Sequence, residues 1–509
     1  MDPVRNSKKY NDIIKNLRHS NVEHSTEKDI SNGMGRRSFL KTIGLGTASL
    51  IMHGCEAPSP RSPDTVPPKK IVAEGPNIVF IIVDDMGWMD LGCYGSRHIK
   101  TPNINRMAAE GMRFMQAYSG CTVCAPARSV LMTGLHMGHT SVRGNTGGIP
   151  LLDEDVTVAE VLKKAGYVTG GFGKWGLGEV GTTGVPEKQG FDEFFGYYHQ
   201  IHAHDYWTPY LWYNSQKIPI TGEEGSAECY SHNWIFMKML DFIRRNKDKT
   251  FFCYAPWTPP HGKYQIPESD PAWQMYKDKP WPEQAKVVAA MDTMLDRHVG
   301  QLLALLKELD IDKNTIVFFV SDNGAAQRFD GVLDSSGPLR GFKRSLYEGG
   351  IRVPMIVRWP GKIAPAQLSD LQCHFADIMP TLAELANATE LMPTNIDGIS
   401  IVPILTGRDE EQEKHEFLYW EWHRYNWGKR QNVPDGLMQA VRMGKWKAVR
   451  HSSGVPFELY NLSSDIAEQS NTAAKHPDII AKIEKFVATA RIEPRPQIEP
   501  EKLDGRQYR

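Results

Sequence analysis

The sequence predicts an α/β fold, with a mainly parallel central sheet flanked by helices and a smaller C-terminal α+β subdomain. Three observations predict it. Two continuous apolar, β-branched runs, at residues 77–83 and 315–320, have the pattern of strands buried on both faces, the habit of parallel sheets. Helix-like segments at 103–110, 157–165 and 284–309 lie between and around them, as where crossover helices join parallel strands. After Leu405 the texture changes to alternating half-buried strands and one amphipathic helix.

The composition narrows the function. Of 509 residues, 41% are hydrophobic and 23% charged, which excludes a wholly disordered or fibrous chain. Lys+Arg is 59 and Asp+Glu is 60, so no basic footprint for nucleic acid exists. Seven cysteines in a chain this long are no disulfide framework.

Residues 1–55 read as an address. Arg36-Arg37-Ser38-Phe39-Leu40-Lys41 precedes an apolar stretch, 42–52, that is too short to span a bilayer. This is the pattern of a twin-arginine export signal. Cys55 stands just after it as a candidate lipid attachment point. Met34 offers an alternative start. The expectation is a protein exported by the twin-arginine machinery, periplasmic or lipid-anchored at the cell envelope. A linker follows at 56–74, rich in Pro and Ser over 57–70. Residues 75–405 form the expected catalytic domain and 406–509 the C-terminal subdomain and tail.

Within the catalytic domain the run at 77–83 ends in Asp84-Asp85. The run at 315–320 leads through Ser321 into Asp322-Asn323-Gly324. Residues 167–171 and 353–358 read as further strands. Beyond 405, residues 417–422 and 438–450 read as strands and 477–490 as a helix. In parallel sheets ligands bind beyond the carboxyl ends of strands. Three carboxylates and an amide converging there would suit a hard cation, Ca2+ or Mg2+. Ordinary turn and capping residues are the plain alternative.

The segment Cys121-Thr122-Val123-Cys124-Ala125-Pro126-Ala127-Arg128 places Pro126 where the first turn of a helix accepts it. Cys124 then falls at a helix N-terminus, where the dipole favours an anion. A redox Cys-x-x-Cys or half a zinc site shares the spacing. No second such pair exists for zinc, and the chain lacks a small thioredoxin-like unit.

Cys124-Ala-Pro-Ala-Arg128, followed by Thr133-Gly134, resembles the signature of the formylglycine-dependent sulfatases, of the alkaline phosphatase superfamily. In that family the Cys is oxidised to Cα-formylglycine; Ala127 stands where Ser is usual. Other segments agree in order: residues 77–88, Gly173-Lys174-Trp175-Gly176-Leu177-Gly178, Pro259-Pro260-His261, Ser321-Asp322-Asn323-Gly324, Lys343 ahead of Tyr347-Glu348-Gly349-Gly350, and the stretch from Phe457 to Asn471. The resemblance spans about residues 77–471 and implies an alkaline-phosphatase-like sandwich. It also implies that Asp84, Asp85, Asp322, Asn323 and position 124 hold a divalent cation, Ca2+ ahead of Mg2+. Arg128 and Lys174 would support the formylglycine diol. His261 and Lys343 would bind sulfate, with His261 donating the proton to the leaving oxygen. The implied partners are a sulfated small molecule or glycan and a formylglycine-generating maturation enzyme.

One departure stands out. The family pattern has His where this chain has Gly176. Either another group, such as His136, His139, His204 or His423, takes that role, or turnover is altered. Residues 202–212 are dense in aromatics and His and could line a sugar pocket or the core. Tyr419-Trp420-Glu421-Trp422-His423 alternates, so one face could reach the pocket rim. His204 and His423 are therefore the substrate-binding candidates. The rival readings are a phosphoryl-ester hydrolase of the same superfamily, a non-catalytic surface glycan binder, and a thiol-disulfide oxidoreductase.

Overall fold

A computed structural model describes residues 73–145, 150–327, 329–426, 428–429 and 431–495. The twin-arginine segment, Cys55 and most of the linker lie outside them. In chain order the strands are β1 (Asn77–Asp84), β2 (Met112–Phe114), β3 (Ala117–Tyr118), β4 (Val168–Lys174), β5 (Glu193–Tyr197), β6 (Tyr210–Tyr213), β7 (Gln216–Pro219), β8 (Phe251–Pro260), β9 (Thr315–Ser321), β10 (Met355–Arg358), β11 (Gln367–Ser369), β12 (Cys373–His374), β13 (Leu418–Asn426), β14 (Gln431–Met443), β15 (Trp446–Arg450) and β16 (Glu458–Asn461).

Ten of them form one sheet in the order β11-β2-β10-β9-β1-β8-β4-β5-β6-β7. Its centre, β9-β1-β8-β4-β5, is parallel throughout. All eight residues of β1 and all seven of β9 are buried. Their lack of alternation is explained by helices covering both faces. Because the five central strands share one direction, their carboxyl ends share one edge. The Asp84 and Asp322 ends come together there, since β1 and β9 are neighbours in register, with Val83 opposite Ser321.

Several elements differ from their sequence reading. The strand expected at 353–358 is β10, which runs antiparallel to β9. The strand at 167–171 extends to Lys174, which places that lysine at the carboxyl edge. Residues 438–450 are two strands, because Gly444 takes a left-handed turn at φ 54° and folds β15 back on β14. The helix expected at 157–165 starts as its sequence suggests. Thr157 and Glu160 form a reciprocal capping box at Val158–Lys164.

The C-terminal sheet, β13-β14-β15-β16, is antiparallel and buried on both faces. One face, with Tyr419, Val441 and Leu459, packs under the helix Pro477–Val487 through Ile483 and Val487. The other, with Trp420, Ala440 and Val449, packs on Tyr118, Leu346 and Ile351 of the catalytic part. Lys447 is fully buried at this seam. It lies 2.9 Å from Glu348 Oε1 and 3.5 Å from Glu468 Oε1. The Glu348 Oε2 atom accepts from Tyr118 OH at 2.8 Å.

Removing Lys447 would leave buried Glu468 without its cation and Glu348 with Arg352 at 3.4 Å, and breaking a buried pair from one side costs about 3–5 kcal/mol. Lys447→Ala is expected to lower the thermal unfolding midpoint accordingly. An unchanged midpoint would show that the seam does not depend on this lysine.

Candidate active site

Asp84 and Asp85 are consecutive, yet strand alternation would point them to opposite faces. Two irregularities bring both to one side. The β1–β8 register shifts between Val83 and Asp84, so that Asp84 pairs with Pro260. Asp85 then adopts φ 68°, a left-handed conformation that costs a non-glycine residue about 1–2 kcal/mol. Such strain persists where surrounding bonds impose it. Here the Asp85 amide donates to Asp322 Oδ1 at 3.2 Å, and its own Oδ1 accepts from Asn323 Nδ2 at 2.7 Å.

Cys124 is the first residue of a fully buried helix, Cys124–Thr133, which Gly134 ends in a left-handed turn. The N-cap Val123 offers no side-chain acceptor. Asn145 Oδ1 takes the Ala125 amide at 3.1 Å instead. Cys124 Sγ lies 3.0 Å from Asp84 Oδ1 and 3.3 Å from Lys343 Nζ. Arg128, one turn on, donates to Asp322 Oδ2 at 3.0 and 3.2 Å and lies 3.4 Å from Asp84 Oδ2. Its remaining nitrogen donates to the Lys174 carbonyl at 2.8 Å. Lys174 itself pairs with Asp84, and Lys343 with Asp85. His261, just past β8, sets Nδ1 at 3.5 Å from Asp84 and Nε2 at 3.4 Å from Asp85.

The electrostatics follow from burial against charge. Burial raises the Asp84 pKa, but His261, Lys174, Arg128 and Lys343 outweigh it and hold the carboxyl well below the usual range. Burial and the neighbouring Asp84 leave Asp85 and Asp322 raised despite their cationic partners. Burial, with Asp322 and Asp84 adding to it, pushes the Cys124 thiol well up. Burial also holds His261 well below its usual value although Asp84 opposes it.

The residues fit a hard divalent cation. Ligand atoms of Asp84, Asp85, Cys124 and His261 lie within 4.8 Å of one another. Asp85 Oδ2, Asn323 Oδ1 and His261 Nδ1 are buried with no hydrogen-bond partner among the described residues. Buried oxygens left in that state are costly, and an oxygen-rich set is what Ca2+ or Mg2+ takes.

The profile described as "Sulfatase" matches residues 76–388, which includes every residue of this cluster. The chain belongs to the sulfatase family. A second profile, "N-sulphoglucosamine sulphohydrolase, C-terminal", matches 341–492. Human arylsulfatase A is 32% identical over 453 residues, 81% of this chain and 82% of that protein. Human N-acetylgalactosamine-6-sulfatase is 34% identical over 370 residues, 65% and 66% of the two. Among solved structures, Ps i-CgsB superposes with TM-score 0.71 at 26% identity, covering 86% of this chain and 98% of its own. The fold also matches the phosphonate monoester hydrolase of Agrobacterium radiobacter at TM-score 0.62 and 19% identity, with coverage of 82% and 95%. This sulfatase is thus a sulfuric ester hydrolase with the alkaline-phosphatase-like sandwich.

All nine residues proposed for metal and chemistry meet at one place. The two substrate-binding candidates do not join them equally. His204 packs edge-on against His261, ring centres 4.5 Å apart. His423 lines a separate cavity and shares a hydrogen bond with the Val433 carbonyl at 3.0 Å. His136 and His139 are engaged with Asp397. Gly176 sits at φ 78°, and a Cβ there would meet Gln200 Cγ at 3.2 Å. Most of residues 202–212 is core. His202, Tyr206 and Trp212 are buried, and Tyr198 stacks on Trp212 at 5.2 Å. Cys121 and Cys124 are both free thiols.

The structure adds positions that the motifs did not mark. Tyr206 donates from its hydroxyl to the His261 carbonyl at 2.6 Å, fixing the turn that carries the imidazole. Asp90 Oδ2 accepts the Gly87 amide at 2.7 Å, pinning the loop after Asp85. The aromatic density around Tyr206 was the one signal of its role.

Two outcomes are expected. Ca2+ in hundredfold excess over its dissociation constant should stabilise the protein by about 2.7 kcal/mol, read as a raised melting temperature. Asp85→Asn should remove most of that shift. The second outcome concerns pH. Burial raises Asp90 to about 6, whereas an unfolded Asp titrates near about 3.9. The native state holds this proton more tightly, so stability is full below about pH 4 and falls as pH rises through about 6. The loss is of the order of 3 kcal/mol. Asp90→Asn should therefore melt above wild type at pH 8 and show no such gain at pH 4.

Proposed function

We propose that this sulfatase removes sulfate from sulfated carbohydrates or aryl sulfates. In this reading position 124 works as Cα-formylglycine beside a divalent cation, Ca2+ or Mg2+, held by Asp84, Asp85, Asp322 and Asn323. The observation that carries it is the state of Cys124. It is fully buried at the start of a helix, 3.0 Å from Asp84 Oδ1 and 3.3 Å from Lys343 Nζ. Lys174, Lys343 and Arg128 surround it with positive charge, an arrangement for an anion.

When the modification is in place, the hydrated aldehyde supplies an oxygen nucleophile and a second hydroxyl from which the aldehyde is restored. The cation, when bound, supplies Lewis-acid stabilisation of sulfate oxygens. The chain's own residues do the rest. Lys343, 3.3 Å from Sγ, offers positive charge where a sulfate oxygen and the nucleophile meet. Lys174 pairs with Asp84 and keeps it ionised. Arg128 bridges Asp84 and Asp322, so the two carboxylates stay in place at short range. His261 is 17% exposed while Asp84, Asp85, Arg128, Lys174 and Lys343 are at 3% or less. It stands at the entrance, where the leaving oxygen must depart, and its N–H is the donor for that oxygen.

Carbohydrate esters are supported by the N-acetylgalactosamine-6-sulfatase relatives and by Ps i-CgsB, solved with k-i-k-neocarrahexaose. Arylsulfatase A and the rat steryl-sulfatase, 29% identical, support aryl and sterol esters. Maturation by a formylglycine-generating enzyme and export through Arg36-Arg37 complete the reading.

Mass spectrometry of the peptide containing Cys124 tests it, on protein from a host that matures a control sulfatase. Aldehyde in place of thiol, with sulfate release from a sugar-sulfate panel, is the expected result. An unmodified thiol without turnover would favour a glycan-binding protein. His261→Ala should lower kcat about 10²–10⁴-fold on alkyl sugar sulfates. The loss should be smaller on nitrophenyl sulfate, whose leaving group needs no proton. Equal losses on both would remove the donor role.

A further inference from the structure

We propose that this sulfatase is built for substrates carrying a second anionic group, a sulfate or a carboxylate, and that Arg344 receives it. The inference rests on the sulfatase reading and adds a substrate class to it.

A cavity of about 320 Å³ is bordered by Val123 and Arg344, the chain neighbours of Cys124 and Lys343. Trp422 and Tyr425 give it aromatic wall, and His423 and Asn432 give it polar groups. The size suits a sugar ring, and a few polar groups in an aromatic wall are what a small-molecule site needs.

Its charge is one-sided. Arg143, Arg344, Arg491 and Arg495 line it against one carboxylate, Glu421. Glu421 is occupied by Arg491 at 2.9 Å and Arg143 at 3.5 Å. Arg495 reaches Asp155 at 3.2 Å. Arg344 alone of the four has a guanidinium with no hydrogen-bond or ion-pair partner among the described residues.

The backbone of Arg344 is also out of the ordinary. It sits at φ 71°, a conformation that a long side chain rarely adopts and that glycine takes freely. Its amide donates to the Thr122 carbonyl at 3.1 Å, two residues before Cys124. The strained turn therefore ties this arginine to the loop that carries position 124. Backbone strain of this kind gathers at binding sites. An exposed guanidinium on an anchored backbone, with no partner among the described residues, matches the fork geometry of a carboxylate or sulfate.

Calorimetry on a Cys124→Ser variant, which binds without turnover, tests the proposal. The probes are a monosulfated disaccharide, the same disaccharide with a second sulfate, and a sulfated disaccharide containing a uronate. At least one doubly charged probe is expected to bind about tenfold or more tighter than the monosulfated one, as a charge-assisted contact supplies. The sulfate and uronate arms then tell which anion is preferred. Arg344→Ala should collapse the ratio to about one, and Arg344→Lys should restore part of it. Arg344→Gly should lose the ratio while its melting temperature stays equal or rises, because glycine relieves the turn. Equal affinity for all probes, or a preference that survives Arg344→Ala, overturns the proposal. Binding preference without turnover by matured Cys124 protein would instead sink the sulfatase reading and leave the anion site standing.

Discussion

The structure depends on keeping three carboxylates buried within reach of one another. Asp84, Asp85 and Asp322 are almost fully out of water, where like charges repel strongly and hydration is lost. Arg128, Lys174 and Lys343 supply the compensation, each from a different part of the chain. The helix behind Cys124, the carboxyl end of β4 and the loop before Glu348 must therefore all be in position. The parallel centre of the sheet achieves this by ending neighbouring strands at one edge. Burial, with Asp84 beside them, still leaves the Asp85 and Asp322 carboxyls raised.

Much of this was legible in the residues. The runs before Asp84 and Asp322 are apolar without alternation, and only a strand covered on both faces reads that way. The Cys124 segment carried its own helix signal in Pro126. β8 was harder. It is buried over all ten residues, but Pro256, Pro259 and Pro260 interrupt the pattern that marks a strand. The direction of β10 and the hairpin at Gly444 depend on how distant segments pair, which periodicity does not encode.

The C-terminal sheet shows where sequence reading stops. Its alternation at Tyr419-Trp420-Glu421 was clear. Which layer each face meets was not, since Trp420 contacts Ser119 through a hydrogen bond 301 residues apart in the chain, at 2.7 Å. Lys447 and Glu348 are likewise 99 residues apart, and each alone reads as an ordinary surface charge. Arg344 was passed over for a similar reason. Beside Lys343 it looks like one more basic residue, and only its φ and the lack of a partner for its guanidinium among the described residues set it apart.

The sealing of Cys124 has a consequence in time. The residue has no exposed surface, and part of what closes over its loop comes from β13, some three hundred residues later in the chain. Cys121 Sγ contacts the Glu421 carbonyl at 3.9 Å, and Trp420 caps Ser119. An enzyme that is to alter this side chain must reach it while the later chain is still being made or held open. Synthesis order would thus bear on any change made at position 124, because a chain already closed by β13 presents no surface there.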